Sequence, residues 1–134
     1  MRITGGCFCG AVRYESKGAP ISSLICHCET CRKVSGTPFV AWVTFMRSDF
    51  AFTNGAPAEL HSSPHVVRTY CAQCGTPLGY TRDGFVDEID VTTCSLDDPA
   101  AYPPNGHEWV SEALPWIKMA DGLPQYPESR SQAE

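Results

Sequence analysis

The chain has 134 residues, with 10 basic against 15 acidic side chains and a formal charge of −5 at pH 7. That length makes one domain able to bury its own core, and eight cysteines fall below the roughly 8–10% of residues that marks a small disulfide scaffold. The acidic balance, without a lysine–arginine cluster, argues against electrostatic capture of nucleic acid, and no apolar run approaches the ~20 residues that span a bilayer.

In chain order, Met1-Arg2-Ile3-Thr4-Gly5-Gly6-Cys7 reaches glycine and cysteine with no apolar stretch behind its arginine, so no secretory signal is expected. The expected compartment is cytoplasmic, where thiols stay reduced. Cys7-Phe8-Cys9 is followed by a strand-like run, Ala11–Tyr14, and then by Cys26-His27-Cys28-Glu29-Thr30-Cys31, where Glu29 to Val34 predicts a turn of helix. Phe39–Phe45 reads as a central strand covered on both sides, with Phe39, Ala41, Val43 and Phe45 on one face and Val40, Trp42 and Thr44 on the other. Phe50–Thr53 and Val66–Tyr70 are further strands, Cys71-Ala72-Gln73-Cys74 precedes Gly75, and Leu78–Thr81 and Phe85–Thr92 complete the strand set. Leu96 to Ala101, with aspartate near the N-cap and proline in the first turn, predicts one more helical turn. Eleven glycines and eleven prolines are dispersed, as short elements joined by tight turns require. The expectation is a mainly β fold in a single domain over residues 1–126, with 127–134 a polar, loose tail.

The cysteines carry the chemistry. Seven of the eight fall in three tight groups, and C-x-x-C lets two thiolates converge on one ion from a turn, with sulfurs about 2.3 Å from zinc. The glycine after the second cysteine suits such a turn, which often needs positive φ. Structural disulfides are the plainer alternative, but a reducing compartment opposes them and neighbours this close rarely meet disulfide geometry. Cys7 and Cys9 with Cys71 and Cys74 would complete a closed four-thiolate site, a clasp between the N-terminal loop and the middle of the chain. Cys26, Cys28 and Cys31 would supply three ligands and leave a fourth position open, the pattern of a catalytic zinc. Cys94 either donates a fourth sulfur that closes this second site or is a small buried residue at a strand end. Thiol-rich sites also hold iron, but without a haem or ferredoxin pattern Zn²⁺ is expected at both.

Other site candidates follow from position alone. His27, between two ligands, is expected to point away from the metal and to act by packing or by supporting a ligand; Arg32 could grip a carboxylate. His61 and His65 read as surface residues, while His107, Trp109 and Trp116 could border a pocket.

Gly5-Gly6-Cys7-x-Cys9-Gly10-x-Val12-x-Tyr14, Cys26-His27-Cys28-x-x-Cys31-Arg32, Gly36, Pro38-Phe39 and Tyr70-Cys71-x-x-Cys74-Gly75-Thr76-Pro77-Leu78 resemble the glutathione-dependent formaldehyde-activating enzyme family, which includes centromere protein V-like proteins. The resemblance covers roughly residues 3–120. It implies small β-sheets pinned by zinc, related to the methionine-R-sulfoxide reductase-like folds. It also implies a structural zinc on Cys7, Cys9, Cys71 and Cys74 and a second on Cys26, Cys28 and Cys31. The implied activity is that of a carbon–sulfur lyase or synthase acting on a glutathione–formaldehyde adduct, S-hydroxymethylglutathione, with a thiol and an aldehyde as partners and no nucleic acid or membrane. The competing expectation is a non-catalytic β binding module in which both metals are structural.

Overall fold

The computed structural model describes residues 2–130. Ten strands form two sheets: β1 (Ile3–Gly6), β2 (Arg13–Ser16), β3 (Ser22–Cys26), β4 (Val40–Met46), β5 (Phe50–Asn54), β6 (Ala58–Ser63), β7 (Val66–Tyr70), β8 (Pro77–Arg82), β9 (Glu88–Thr92) and β10 (His107–Glu108). One α-helix, α1 (Glu29–Ser35), lies between β3 and β4. The mainly β architecture expected from the sequence is present.

The smaller sheet runs β1-β2-β5 and the larger β10-β3-β4-β9-β8-β7-β6. All pairings are antiparallel except β10 with β3. Hairpins and short connections give antiparallel neighbours, whereas β10 reaches β3 from far along the chain and is free to lie parallel to it.

Strand alternation sorts the larger sheet into two unlike faces. On β4, Val43 and Phe45 are fully buried and join Tyr14, Leu78, Ile89, Val91 and Leu96 in the main core. Val40 and Trp42, on the opposite face, form a second cluster with Cys26 and Cys31. The two-sided reading of this strand is therefore right, and the second cover is the cysteine-bearing helix. Register carries the same face across the sheet, since Thr44 opposes Asp90, Asp90 opposes Tyr80 and Tyr80 opposes Arg68. One face is thus an apolar core shared with the smaller sheet, and the other is polar and aromatic.

Boundaries move where turns compete with strands. The first expected strand begins at Arg13 rather than Ala11, because Cys7 to Val12 closes into a loop with Cys7 N–H donating to Val12 O at 3.0 Å. The last begins at Glu88 rather than Phe85, because the Phe85 N–H turns back onto Arg82 O and Asp83 O. The helical segment at Leu96–Ala101 is a single 3-10 turn over Pro99–Ala101. Of the residues expected as a tail, Pro127 and Glu128 accept backbone hydrogen bonds from Ser111 and Trp109, and 131–134 lie outside the described residues.

Phe45 is fully buried against Phe50 at 6.3 Å between ring centroids. Phe45→Ala is expected to cost about 3–5 kcal/mol in urea unfolding, through lost burial plus the cavity left behind.

Candidate metal and active site

The two expected cysteine groups are each assembled within one small volume. The sulfurs of Cys7, Cys9, Cys71 and Cys74 lie within 4.8 Å of one another, as do those of Cys26, Cys28 and Cys31. These are the two groups of this kind among the described residues.

The four-cysteine group joins the two sheets. Cys7 leaves β1 of the smaller sheet, and Cys71 and Cys74 sit in the turn between β7 and β8 of the larger. Within it, Cys7 Sγ and Cys9 Sγ are 3.6 Å apart and Cys9 Sγ and Cys71 Sγ 3.8 Å. Four sulfurs about 2.3 Å from a tetrahedral ion would be spaced about 3.8 Å apart, so the donor set fits zinc. Local structure aims the sulfurs. Cys71 Sγ accepts from the Cys74 N–H at 3.4 Å, and the Gly75 N–H donates to Cys71 O at 2.8 Å. Gly75 takes φ 84°, the left-handed conformation that its place after the C-x-x-C called for. Cys74 is held down to about 5, first by the Thr76 hydroxyl, which lies 3.2 Å from its sulfur.

The three-cysteine group is built where β3 runs into α1. Cys26 ends the strand, Cys28 is the helix N-cap and its Sγ accepts from the Cys31 N–H at 3.3 Å, and Cys31 is buried one turn on. The helix stops at Gly36, which adopts the left-handed conformation and donates to Arg32 O at 2.8 Å. Cys31 is held down to about 3, first by hydrogen bonds from Cys26 and Cys28 and then by the Arg68 guanidinium. The same contacts, with burial, push the Cys26 thiol up. Three convergent sulfurs suit a tetrahedral ion with one position left for a ligand from outside.

Cys94 belongs to neither group. It is exposed, in the 3-10 turn Thr93–Ser95 after β9, so it is not the buried strand-end residue that its position suggested. The turn after Thr92 swings its side chain out of the sheet's alternation, and no fourth cysteine closes the second site.

That site opens into a cavity of about 600 Å³ floored by the polar face of the larger sheet. Cys26, Cys28 and Cys31 line one part of it and Trp42, Arg68, Tyr80, Asp90, Glu108 and Trp109 much of the rest. Arg68, on β7, escaped the sequence reading although it is only 6% exposed. Its two terminal nitrogens each lie 3.7 Å from Cys31 Sγ, its Nε donates to Ser62 Oγ at 3.0 Å, and its guanidinium lies over the Tyr80 ring, 4.9 Å from the centroid. Asp90 accepts from the Thr44 hydroxyl at 2.5 Å, and burial pushes its carboxyl up to about 6. Burial likewise raises Glu108, beside Cys26 in the β10–β3 pairing.

The remaining candidates are placed as follows. His27 is fully buried and turned away from the cavity; its Nε2 is 2.9 Å from His107 Nδ1, and His107 Nε2 is 2.8 Å from Asp121 Oδ2. With the Asp121 carboxylate accepting from His107 Nε2–H, neutral His107 accepts from His27 Nε2–H, a chain that ties β3 to the 121 loop. Arg32 does not line the cavity: its Nε donates to His27 O at 3.2 Å and a terminal nitrogen to Glu112 O at 3.1 Å, pinning α1 to the 110–112 turn. His61, His65 and Trp116 are exposed. Trp109 does border the cavity, and its backbone at φ 57° is the one positive φ among described non-glycine residues. A bulky side chain in that conformation is strained by about 1–2 kcal/mol, held here by Trp109 N–H to Glu128 O at 3.0 Å and Glu112 N–H to Trp109 O at 3.0 Å.

Fold and site together define a mainly β protein with two thiol-rich centres, each able to hold a metal ion, and a cavity at one of them. The family model for the glutathione-dependent formaldehyde-activating enzyme matches residues 2–112, and the chain belongs to that family. An uncharacterized lyase of Schizosaccharomyces pombe is 31% identical over 74 residues, 55% of this chain and 53% of the relative, so the chain spans about half the length of that curated relative. The crystal structure of a Rhodobacter sphaeroides protein shares the fold with a TM-score of 0.59 at 19% identity, covering 92% of this chain and 98% of that one. Among the described residues no helix is long and apolar enough to cross a membrane.

Two expectations follow. At position 109, Trp109→Gly is expected to be about 1 kcal/mol more stable than Trp109→Ala in denaturant unfolding, the reverse of the usual order, because only glycine accepts φ 57° without strain. Asp90 is the second. Its folded pKa near 6 stands above the roughly 3.9 of an unfolded aspartate, so both states are protonated below pH 4 and stability is lost as pH rises from about 4 to 6. Asp90→Asn should therefore gain about 1–2 kcal/mol relative to wild type on going from pH 4 to pH 7, read from paired unfolding curves.

Proposed function

We propose that the protein is a zinc-dependent carbon–sulfur lyase or synthase acting on thiol–aldehyde adducts such as S-hydroxymethylglutathione. Cys26, Cys28 and Cys31 would hold the catalytic zinc, and Cys7, Cys9, Cys71 and Cys74 a structural one. The observation that carries this reading is the contrast between the two groups: four sulfurs, enough for a tetrahedral ion, converge where the two sheets meet, while three sulfurs without a fourth face a cavity of about 600 Å³. Family membership and the lyase-named relative support the same class of chemistry.

Zinc at such a centre supplies thiolate character to a bound thiol and polarises a carbonyl. The chain's own residues do the rest. Cys26, Cys28 and Cys31 fix the sulfur end of the adduct at the mouth of α1. In the synthetic direction a bond forms between the thiol sulfur and the aldehyde carbon, and the carbonyl oxygen takes a proton; in the lyase direction that proton leaves the hydroxyl as the carbon–sulfur bond breaks. Asp90, with a carboxyl near 6 in the cavity floor, is able to hold or accept a proton near neutrality. Trp109 and Trp42 give the cavity apolar walls that limit water around the reacting carbon.

NMR exchange between formaldehyde and glutathione tests the activity. Metal-loaded protein is expected to accelerate exchange over the spontaneous rate, and Cys28→Ala to abolish that acceleration; no metal-dependent acceleration with glutathione or other thiols would sink the reading. The division of labour has its own test in thermal melts. Cys71→Ala is expected to unfold or loosen the domain, because a structural zinc contributes folding free energy, whereas Cys31→Ala costs activity more than stability. The reverse order would exchange the two assignments.

A further inference from the structure

We propose that Arg68 is the charge partner of the three-cysteine centre, and that its fixed positive charge lets the open position take an anionic sulfur from outside the chain. This rests on the reading of Cys26, Cys28 and Cys31 as a metal centre and extends it to a residue outside the ligand set.

The argument begins with burial. A guanidinium only 6% exposed needs a negative partner, and no carboxylate lies within ion-pair distance of Arg68 among the described residues. Its strong partner is sulfur: two nitrogens at 3.7 Å from Cys31 Sγ, a fork geometry that a lysine would not reproduce. Ser62 Oγ on Nε and the Tyr80 ring beneath the plane fix that fork, so the contact is built rather than incidental. Arg68 is thus held in place by three neighbours and directed at one sulfur.

Charge arithmetic gives the contact its consequence. Three thiolates with a divalent ion carry −1, and a fourth thiolate brings the centre to −2. Arg68 returns that total to −1. A neutral fourth ligand adds no charge and needs no such compensation. The four-cysteine group supplies the comparison. It has its complete set of sulfurs, takes no ligand from outside, and has no arginine hydrogen-bonded to a sulfur among the described residues. The arginine is found at the centre whose sulfur set is incomplete.

The experiment loads the full chain with Co²⁺, whose sulfur-to-metal charge-transfer absorption reports each added thiolate, and titrates it with two probes, glutathione and neutral imidazole. Wild type is expected to prefer glutathione. Arg68→Met is expected to weaken glutathione roughly 10–100-fold while leaving imidazole within a few-fold, as loss of one buried charge-assisted contact predicts. Arg68→Lys should recover part of the preference; where Arg68→Met does not fold, Arg68→Gln takes its place. A merely structural arginine would lower the melting temperature and leave the ratio of the two affinities unchanged, and that result overturns the proposal. Wild type that takes imidazole but no thiol overturns it as well, and failure to hold Co²⁺ at the three cysteines overturns both this and the metal-site reading. Retained glutathione preference without any formaldehyde exchange would sink the proposed activity and leave the role of Arg68 standing.

Discussion

The convergence of Cys7, Cys9, Cys71 and Cys74 is the constraint on which the arrangement of the two sheets depends. The smaller sheet is three short strands, too few to bury a face alone, and its β1 is four residues long with two glycines. It is held over the larger sheet by Tyr14, Phe50 and Phe52, which pack into the core that includes Phe45 of β4, 6.3 Å from Phe50 between ring centroids, and by sulfurs from its first loop meeting the β7–β8 turn. Both attachments cover the same face of the larger sheet. With Val43, Phe45, Leu78 and Val91 thereby removed from water, the opposite face is released from core duty and can carry Thr44, Asp90, Tyr80 and Arg68.

That division explains why polar and titratable groups survive in the middle of a sheet. Each lies on a strand whose alternate residues already supply the hydrophobic stabilisation, so a cavity on the second face costs the fold little. α1 covers only one end of this face, bringing Cys31 down onto Arg68 and leaving the remainder open. The His27–His107–Asp121 chain and the Arg32 contacts then fix the strand–helix junction from behind. His27 and Arg32 act on the orientation of the cysteines from the side away from the cavity, and the cavity's own charges come from β7, β8, β9 and β10 together with Glu112 and Arg130.

What was legible in the sequence is what short-range spacing encodes. The three cysteine groups, the positive φ after Cys74 and the two-faced β4 all follow from neighbours within a few residues, whereas joining Cys7 and Cys9 to Cys71 and Cys74 rests on ligand number and the family resemblance. β1 and β6 were missed along with β3, where serines are two of five residues, and β10, where two residues have no periodicity; β3 and β10 exist through pairing with distant strands. Arg68 was missed for a sharper reason. In Val66-Val67-Arg68-Thr69-Tyr70 an arginine among β-branched residues reads as the solvent side of a half-buried strand. It is buried because a helix 37 residues earlier folds over it, and no local pattern carries that information. The strain at Trp109 is equally silent, since it arises from the Glu128 and Glu112 contacts that clamp its backbone.

The two centres are made from the same side chain, so their difference must come from what surrounds the sulfurs. At the four-cysteine group Cys7 and Cys71 pack into the core with Ile3, Val12 and Leu78 while Cys9 is exposed, and the Val12 and Cys74 N–H groups donate to the Cys7 and Cys71 sulfurs. Such a site gains nothing from an outside ligand and loses packing if it opens. At the three-cysteine group one side is helix and the other is space, with an arginine, two tryptophans and two carboxyls of raised pKa around it. Each of those residues is costly in a purely structural setting: a buried cation without a carboxylate, a tryptophan at positive φ, an aspartate held from water. Their concentration at the incomplete sulfur set, and not at the complete one, is what the proposed binding and proton transfer would require of that site.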